Sequence, residues 1–319
     1  MICSKSLQGR FVTGRFTPLI MLCASLCIWV AGWVFIGCQP ANAAVGGPDN
    51  LLSGLLALVC VVLSAIVIGT FSLFERRVRW LSALFLWLAA LTFPASSSLS
   101  FSFSLLLLLS VISLLFHCQL SGMPEPLLFR VYLVAGTASL VSSQFLFLVP
   151  LLLVVQFAGS TFSIRKLLAA LLGFAVPFWL LYGLFFVYPP LSLLSVPFMS
   201  NPWEALNISF SIPSLYAMLQ MLAELFVAIP FAVMFLSSSV PGKPLLRRRL
   251  AVILFFYIYM LLLPLLAGEY AMFQLLRLPC VAIMASYMFV FKVNRLFNIY
   301  FVFINLLWLA MVPLYIWLR

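Results

Sequence analysis

Three charged residues stand out because they lie within or beside long apolar stretches. Glu224 is near the middle of the apolar stretch 214–236, while Glu269 immediately precedes the stretch 271–290 that contains Arg277. A charge at the centre of a bilayer costs about 2.5–3.5 kcal/mol on insertion scales, so such a residue faces the protein interior and pairs with an opposite charge. We therefore predict that Glu224, Arg277 and Glu269 form a pair or triad that binds substrate and opens toward the outer leaflet.

A purely structural interpretation of the same residues also exists. Arg277 would extend along its apolar stem to the outer interface, and Glu269 would be a turn residue in water. Glu224 does not fit this interpretation easily. It lies about 15 Å below the outer surface at 1.5 Å per residue, where a carboxyl group requires burial, protonation or a partner.

The composition identifies the elements that must position these residues. The chain is 66% hydrophobic and 7% charged, whereas soluble domains keep about a quarter of their residues charged. Its apolar stretches are long and continuous, which is typical of membrane helices and differs from the short alternating segments of a membrane β-barrel. The predicted fold is therefore all-α, a polytopic transmembrane helical bundle.

The charge and the cysteines exclude other classes of protein. The net charge of +11 is dispersed over short loops, as expected for loops retained in the cytoplasm, so we predict no nucleic-acid partner. No Cys-x-x-Cys pair occurs among the seven cysteines, and His117-Cys118 has no further ligands nearby. We therefore predict no metal site, and the sequence identifies no cofactor.

The positions of the basic residues predict the topology. If every basic cluster faces the cytoplasm, an even number of crossings must separate neighbouring clusters, and the apolar stretches satisfy this rule. The result is a single integral membrane domain over residues 1–319 with about eleven crossings, the N-terminus in the cytoplasm and the C-terminus outside. The predicted first transmembrane helix is 16–37, uncleaved, and residues 188–213 form an outer interfacial loop. The apolar stretches are 17–37, 51–74, 80–93, 101–120, 129–142, 145–159, 167–187, 214–236, 250–267, 271–290 and 296–316.

Two segments are short for the crossings that this topology assigns to them. The stretch 80–93 is short for a full crossing, and the segment 129–159 is too short for two crossings of about 20 residues each. A re-entrant helical hairpin over 129–159, shielded by other helices, preserves the parity equally well. Gly173 and Pro177, one turn apart, indicate close helix packing in the next stretch.

One resemblance covers residues 125–190. The segments Ser163-Ile164-Arg165-Lys166-Leu167 and Leu172-Gly173-Phe174-Ala175-Val176-Pro177, together with Val134-Ala135-Gly136, resemble multi-pass inner-membrane proteins of Bacteroidetes. The resemblance implies a location in the cell inner membrane and a multi-pass topology. It implies no activity.

A more remote resemblance is to the lipid-linked glycosyltransferases of the GT-C class. These enzymes have many helices, a cytoplasmic N-terminus and an acidic residue in the first outer loop that acts as a base or metal ligand. Asp49, in Pro48-Asp49-Asn50, matches that position and is the catalytic residue that the resemblance implies, with Arg277 holding a lipid phosphate. This chain departs from the class in having one acid there and no large outer domain.

Three functions fit these features. The first is an envelope-assembly enzyme that acts on a lipid-linked substrate at Asp49. The second is a transporter or flippase that uses Glu224 and Arg277 as an intramembrane relay. The third is a non-catalytic subunit that packs against other membrane proteins. Membrane lipid is a predicted partner in all three.

Overall fold

The computed structural model is helical throughout the part of the chain that it describes, and no strand occurs there, which confirms the all-α prediction. The described residues are 19–21, 23–28, 48–70, 79–91, 99–120, 122–159, 163–187, 214–237, 244–267, 270–291 and 295–318. The predicted first helix at 16–37 is described only at 19–21 and 23–28, which are helical. The predicted outer loop 188–213 lies outside the described residues.

From residue 48 onward, the described residues form ten α-helices and one 3₁₀ turn, which follow the apolar stretches of the sequence to within a few residues at most ends. The helices are α1 (Pro48–Thr70), α2 (Arg79–Leu91), α3 (Leu99–Leu120), α4 (Glu125–Val141), α5 (Leu148–Gly159), α6 (Ile164–Val187), α7 (Leu215–Leu236), α8 (Pro244–Ala267), α9 (Tyr270–Phe291) and α10 (Arg295–Leu318), and the 3₁₀ turn is Ser143–Phe147. The start of α1 differs from the prediction, because the helix begins at Pro48 and includes Asp49 in its first turn. A proline at the start of a helix loses no intrahelical hydrogen bond.

Three of the described helices are long and apolar enough to cross a membrane. They span Ser102–Gln119, Ile164–Val187 and Leu215–Leu236. Shorter apolar segments of ten to seventeen residues occur in α1, α2, α5, α9 and α10. A membrane protein follows from this finding, while the number of crossings stays a prediction.

The helices group into two compact units. In the first unit, which contains α1, α2 and α7–α10, α9 is the central helix and packs against α2, α7 and α8. Every residue of 276–289 in α9 is buried. A helix that is apolar on all sides is typical of such a central position. Edge-to-face aromatic pairs join α9 to its neighbours, with ring centroids 5.9 Å apart for Phe231 and Tyr287 and 4.9 Å apart for Phe289 and Phe301.

The second unit contains α4–α6 and α3 from Phe103 onward. Its tightest contact is between α4 and α6, where α6 buries a narrow stripe of Ala170, Gly173 and Pro177. Small residues allow helix backbones to approach closely in this way, which confirms the predicted close packing at Gly173 and Pro177.

The segment 129–159 forms a helical hairpin within the second unit. Its two arms are α4, of 17 residues, and α5, of 12 residues, joined by the 3₁₀ turn. At 1.5 Å per residue the arms are about 25 Å and 18 Å long, both below the roughly 30 Å of a bilayer core. The arms are held together by a buried hydrogen bond of 3.0 Å from the Tyr132 hydroxyl to Oε1 of Gln156.

Candidate functional site

The candidate site is a buried ion pair between α7 and α9. Nε of Arg277 donates to Oε2 of Glu224 at 2.6 Å, and Nη2 donates to Oε1 at 3.4 Å. Both side chains have 0% exposure. A guanidinium that meets a carboxylate at two points forms a charge-assisted and directional contact. The predicted pairing of Glu224 and Arg277 is therefore confirmed, and extension of Arg277 to the outer interface is excluded.

A third helix supplies an acceptor to the same guanidinium. Nη1 of Arg277 donates to the backbone carbonyl of Met260 in α8 at 3.4 Å. In a regular helix this carbonyl would accept from residue 264, but that residue is Pro264, which has no N–H. The proline thus frees a carbonyl that Arg277 uses, in addition to any bend that it causes in the helix. The sequence contained a signal for this acceptor, because Met260 lies four positions before the internal Pro264.

Two buried amide side chains lie about one helical turn from the charged residues, and these were not predicted from the sequence. Gln220 lies one turn before Glu224 on α7 and is 1% exposed, while Gln274 lies three residues before Arg277 on α9 and is 6% exposed. Both amide atoms of Gln220 and the amide nitrogen of Gln274 have no hydrogen-bond partner among the described residues. Residues three or four apart on a helix share a face. Gln220 therefore lies on the same face of α7 as Glu224, and Gln274 lies on the same face of α9 as Arg277.

A hydroxyl and a thiol complete this polar cluster, which we define as Glu224, Arg277, Gln220, Gln274, Tyr257 and Cys280. Tyr257 of α8 and Cys280 of α9 are both 1% exposed and lie near the ion pair. Within the described part of the chain, the Tyr257 hydroxyl has no hydrogen-bond partner. Buried polar groups without partners are rare in proteins and each requires an explanation, such as water, a ligand or a functional state.

A second proline-freed carbonyl lies at the edge of the same unit. Pro230 in α7 leaves the Phe226 carbonyl without its usual donor, and the Tyr300 hydroxyl of α10 donates to that carbonyl. Beside this bond is an apolar cavity of about 260 Å³ lined by Pro230, Tyr300, Leu296 and Phe297. Because lipid offers no hydrogen bonds, an exposed carbonyl in a membrane helix requires such a donor.

This arrangement predicts a conditional effect of one hydroxyl. Tyr300→Phe is expected to lower the free energy of unfolding by about 1–3 kcal/mol, because it leaves the Phe226 carbonyl without a donor. In a Pro230→Ala background the same substitution should cost less than about 0.5 kcal/mol, since the alanine would restore the missing N–H donor within α7. The measurement is a double-mutant cycle by reversible unfolding in mixed micelles. Equal costs in both backgrounds would show that the hydroxyl does not serve this carbonyl.

The other predicted site residues are not joined to the cluster by the described structure. Asp49 lies in the helical backbone of α1, but its side chain is outside the described part. Glu269 lies outside the described residues altogether, so the proposed triad stays a prediction. Among the described residues, no group of three or more His, Cys, Asp or Glu side chains is placed to hold a metal ion.

Comparison with known proteins yields no match to a family model, to a curated protein or to a solved structure. The two resemblances drawn from the sequence therefore stay predictions. Function is accordingly inferred from the geometry of the polar cluster.

Proposed function

We propose that this chain is a multi-pass protein of the cell inner membrane that works as a transporter or flippase, with Glu224 and Arg277 as its intramembrane relay. The observation that carries the proposal is the fully buried ion pair, flanked by amide and hydroxyl groups that have no described partner. Ionisable residues within membrane helices are costly and are typical of substrate and proton pathways. A helical bundle with only a structural role would not be stabilised by these polar groups, because each buried polar group without a partner raises the energy of the folded state.

The proposed topology is the one that the basic residues predict, with about eleven apolar helices, the N-terminus in the cytoplasm and the C-terminus outside. We propose that the hairpin of α4 and α5 enters and leaves the membrane from the cytoplasmic side. The short arms of 17 and 12 residues support this proposal. If the hairpin replaces two full crossings, every basic cluster still faces the cytoplasm, because the number of crossings between neighbouring clusters stays even.

The relay works by exchange of charge partners. In the described structure the guanidinium of Arg277 is neutralised by the Glu224 carboxylate. When Glu224 takes up a proton, the guanidinium loses its counter-ion and requires another negative group. The pair can therefore link the movement of a proton to the movement of an anion or of a lipid headgroup.

The test is a flux measurement with the purified full chain in liposomes. The vesicles contain pyranine, and an inward gradient of sodium methanesulfonate is imposed; we expect proton uptake at several times the rate of protein-free vesicles. Glu224→Gln should abolish the difference, while Arg130→Ala, which changes an exposed arginine of α4, should keep it. A parallel assay follows quenching of fluorescent phosphatidylserine by dithionite, which separates a flippase from a solute transporter. Rates equal to those of empty vesicles in both assays would reject the proposal in favour of a non-catalytic subunit.

An envelope-assembly enzyme resembling the GT-C class is the second candidate. It is favoured by the position of Asp49 in the first turn of α1, next to the predicted outer surface. This function requires Asp49 and Arg277 to act on one lipid-linked substrate. A shared loss of complementation by Asp49→Ala and Arg277→Ala in a deletion strain, with Glu224→Gln still active, would favour the enzyme over the transporter.

A further inference from the structure

Hydrogen-bond donors outnumber acceptors around Arg277. Three contacts use three of the five N–H groups of its guanidinium. The amide nitrogens of Gln220 and Gln274 and the hydroxyl of Tyr257 add further donors without partners among the described residues. The acceptors without partners among the described residues of the cluster are Oε1 of Gln220 and the Tyr257 oxygen, and each oxygen of Glu224 already accepts one bond. A buried site with one cation and an excess of donors is complementary to an anion.

Each glutamine lies about one turn before the charged residue on its own helix. Gln220 precedes Glu224 by one turn and Gln274 precedes Arg277 by nearly one turn. In the proposed topology α7 and α9 run in the same direction, so both amides lie on the same side of the pair. Tyr257 and Cys280 lie near each other and near the pair.

We propose that the polar cluster is a binding site for a small oxyanion of carboxylate size, which takes the place of the Glu224 carboxylate on Arg277. This inference rests on the proposed transport function and names its substrate class. The planar guanidinium matches the two oxygens of such an anion, and the amide N–H groups complete its hydrogen bonds. The carboxylate of Glu224 thus occupies the position on Arg277 that the substrate anion takes after the exchange.

The exchange balances in charge. With the pair closed, one carboxylate and one guanidinium sum to zero. After exchange, Glu224 carries a proton and is neutral, and the bound anion neutralises Arg277, so one proton and one anion enter together. Oε1 of Gln220 has no partner among the described residues and lies on the same helix face, so it can accept from the O–H of protonated Glu224.

The test is rescue by a free carboxylate. Glu224→Ala removes the internal carboxylate and leaves Arg277 without a counter-ion. We expect sodium acetate to raise the melting temperature of this variant saturably, by about 2 °C at ten times its Kd. Wild type should shift by less than about 1 °C, because its own carboxylate occupies the guanidinium. Glu224→Gln, which keeps the side-chain volume, is the second variant if Glu224→Ala does not accumulate.

Matched controls separate an anion site from general salt effects. Acetamide, the neutral analogue, and sodium chloride of equal ionic strength should cause no comparable shift. The double variant Glu224→Ala with Arg277→Met should not respond to acetate. A shift of equal size with either control, a response in the double variant, or no saturable shift in both single variants would overturn the proposal.

The source of the oxyanion is distinguished by a second ligand. Dihexanoyl phosphatidic acid carries an oxyanion on a lipid, so a shift with it and none with acetate would overturn the proposal of a carboxylate-sized anion and would indicate a lipid headgroup instead. A shift with acetate, which we expect, assigns it to a soluble anion. The rescue does not depend on flux. Binding without flux would reject transport and keep the site, while flux without rescue would reject this site and keep transport.

Discussion

Replacing Arg277 with alanine is expected to lower the free energy of unfolding by about 3–5 kcal/mol, the largest effect that we predict for a single side chain. The substitution leaves Glu224 fully buried and without the two hydrogen bonds that it now accepts. It also removes the donor to the Met260 carbonyl, which Pro264 has freed. The measurement is reversible unfolding in mixed micelles, with Arg130→Ala as the control because Arg130 is an exposed arginine.

The paired substitution keeps this prediction testable if the single variant does not accumulate. Arg277→Met combined with Glu224→Leu replaces both charges by apolar side chains, and buried ion pairs exchanged in this way often lose no stability. We expect the double variant to recover most of the lost stability while remaining inactive in the flux assay. An Arg277→Ala cost no larger than that of Arg130→Ala would show that the pair contributes little to the fold.

The second large effect is expected where α4 and α6 meet. A Cβ atom added at Gly136 would lie 2.7 Å from the carbonyl oxygen of Phe174, and one added at Gly173 would clash with the carbonyl oxygen of Phe129. Both obstacles are backbone atoms, so a change of rotamer cannot relieve them. Gly136→Ala and Gly173→Ala should each cost about 1–3 kcal/mol, because the two helices must move apart.

Gly183 is the matched control on the same helix as Gly173. Nothing lies within 4 Å of a Cβ added at Gly183. Gly183→Ala should therefore change the unfolding free energy by less than about 0.5 kcal/mol. Unfolding of the three variants in micelles measures the difference. Similar costs at positions 173 and 183 would mean that the close approach of the two backbones does not limit the packing.

The prolines show how a membrane helix uses a missing hydrogen bond. Pro264 and Pro230 each free the carbonyl four residues earlier, and each carbonyl accepts from a side chain on another helix. Water cannot satisfy these carbonyls inside a bilayer, so a neighbouring helix must do so. Arg277 and Tyr300 therefore tie α9 to α8 and α10 to α7. A proline that looks like a helix breaker in the sequence becomes a point of attachment between helices.

Local sequence predicts much of this protein because helix formation depends mainly on near neighbours. The boundaries of α7 and α9 follow from apolar stretches, and the buried position of Glu224 follows from its depth in one of them. The pairing with Arg277 was also predictable, since few residues of opposite charge lie at a similar depth. The close packing at Gly173 followed from the spacing of two small or rigid residues.

The remainder of the site depends on which helix faces lie against each other. Gln220, Gln274 and Tyr257 are ordinary polar residues in the sequence and gain meaning only because α7 and α8 pack against α9. The early start of α1 at Pro48 was likewise not predicted, because proline is compatible both with a loop and with the first turn of a helix.

The sequence by itself predicted a helical membrane protein in which Glu224, Arg277 and Glu269 form a pair or triad. The physical reason is that an ionised side chain has a high energy in a medium without water, and this holds for every arrangement of the helices. Tertiary structure decided the rest, namely that α9 lies at the centre of its unit, that its arginine reaches a carbonyl freed by Pro264, and that buried amides without a partner among the described residues lie one turn from the pair. These contacts join residues far apart in the chain, and they arise from the packing of helices whose apolar faces are nearly interchangeable.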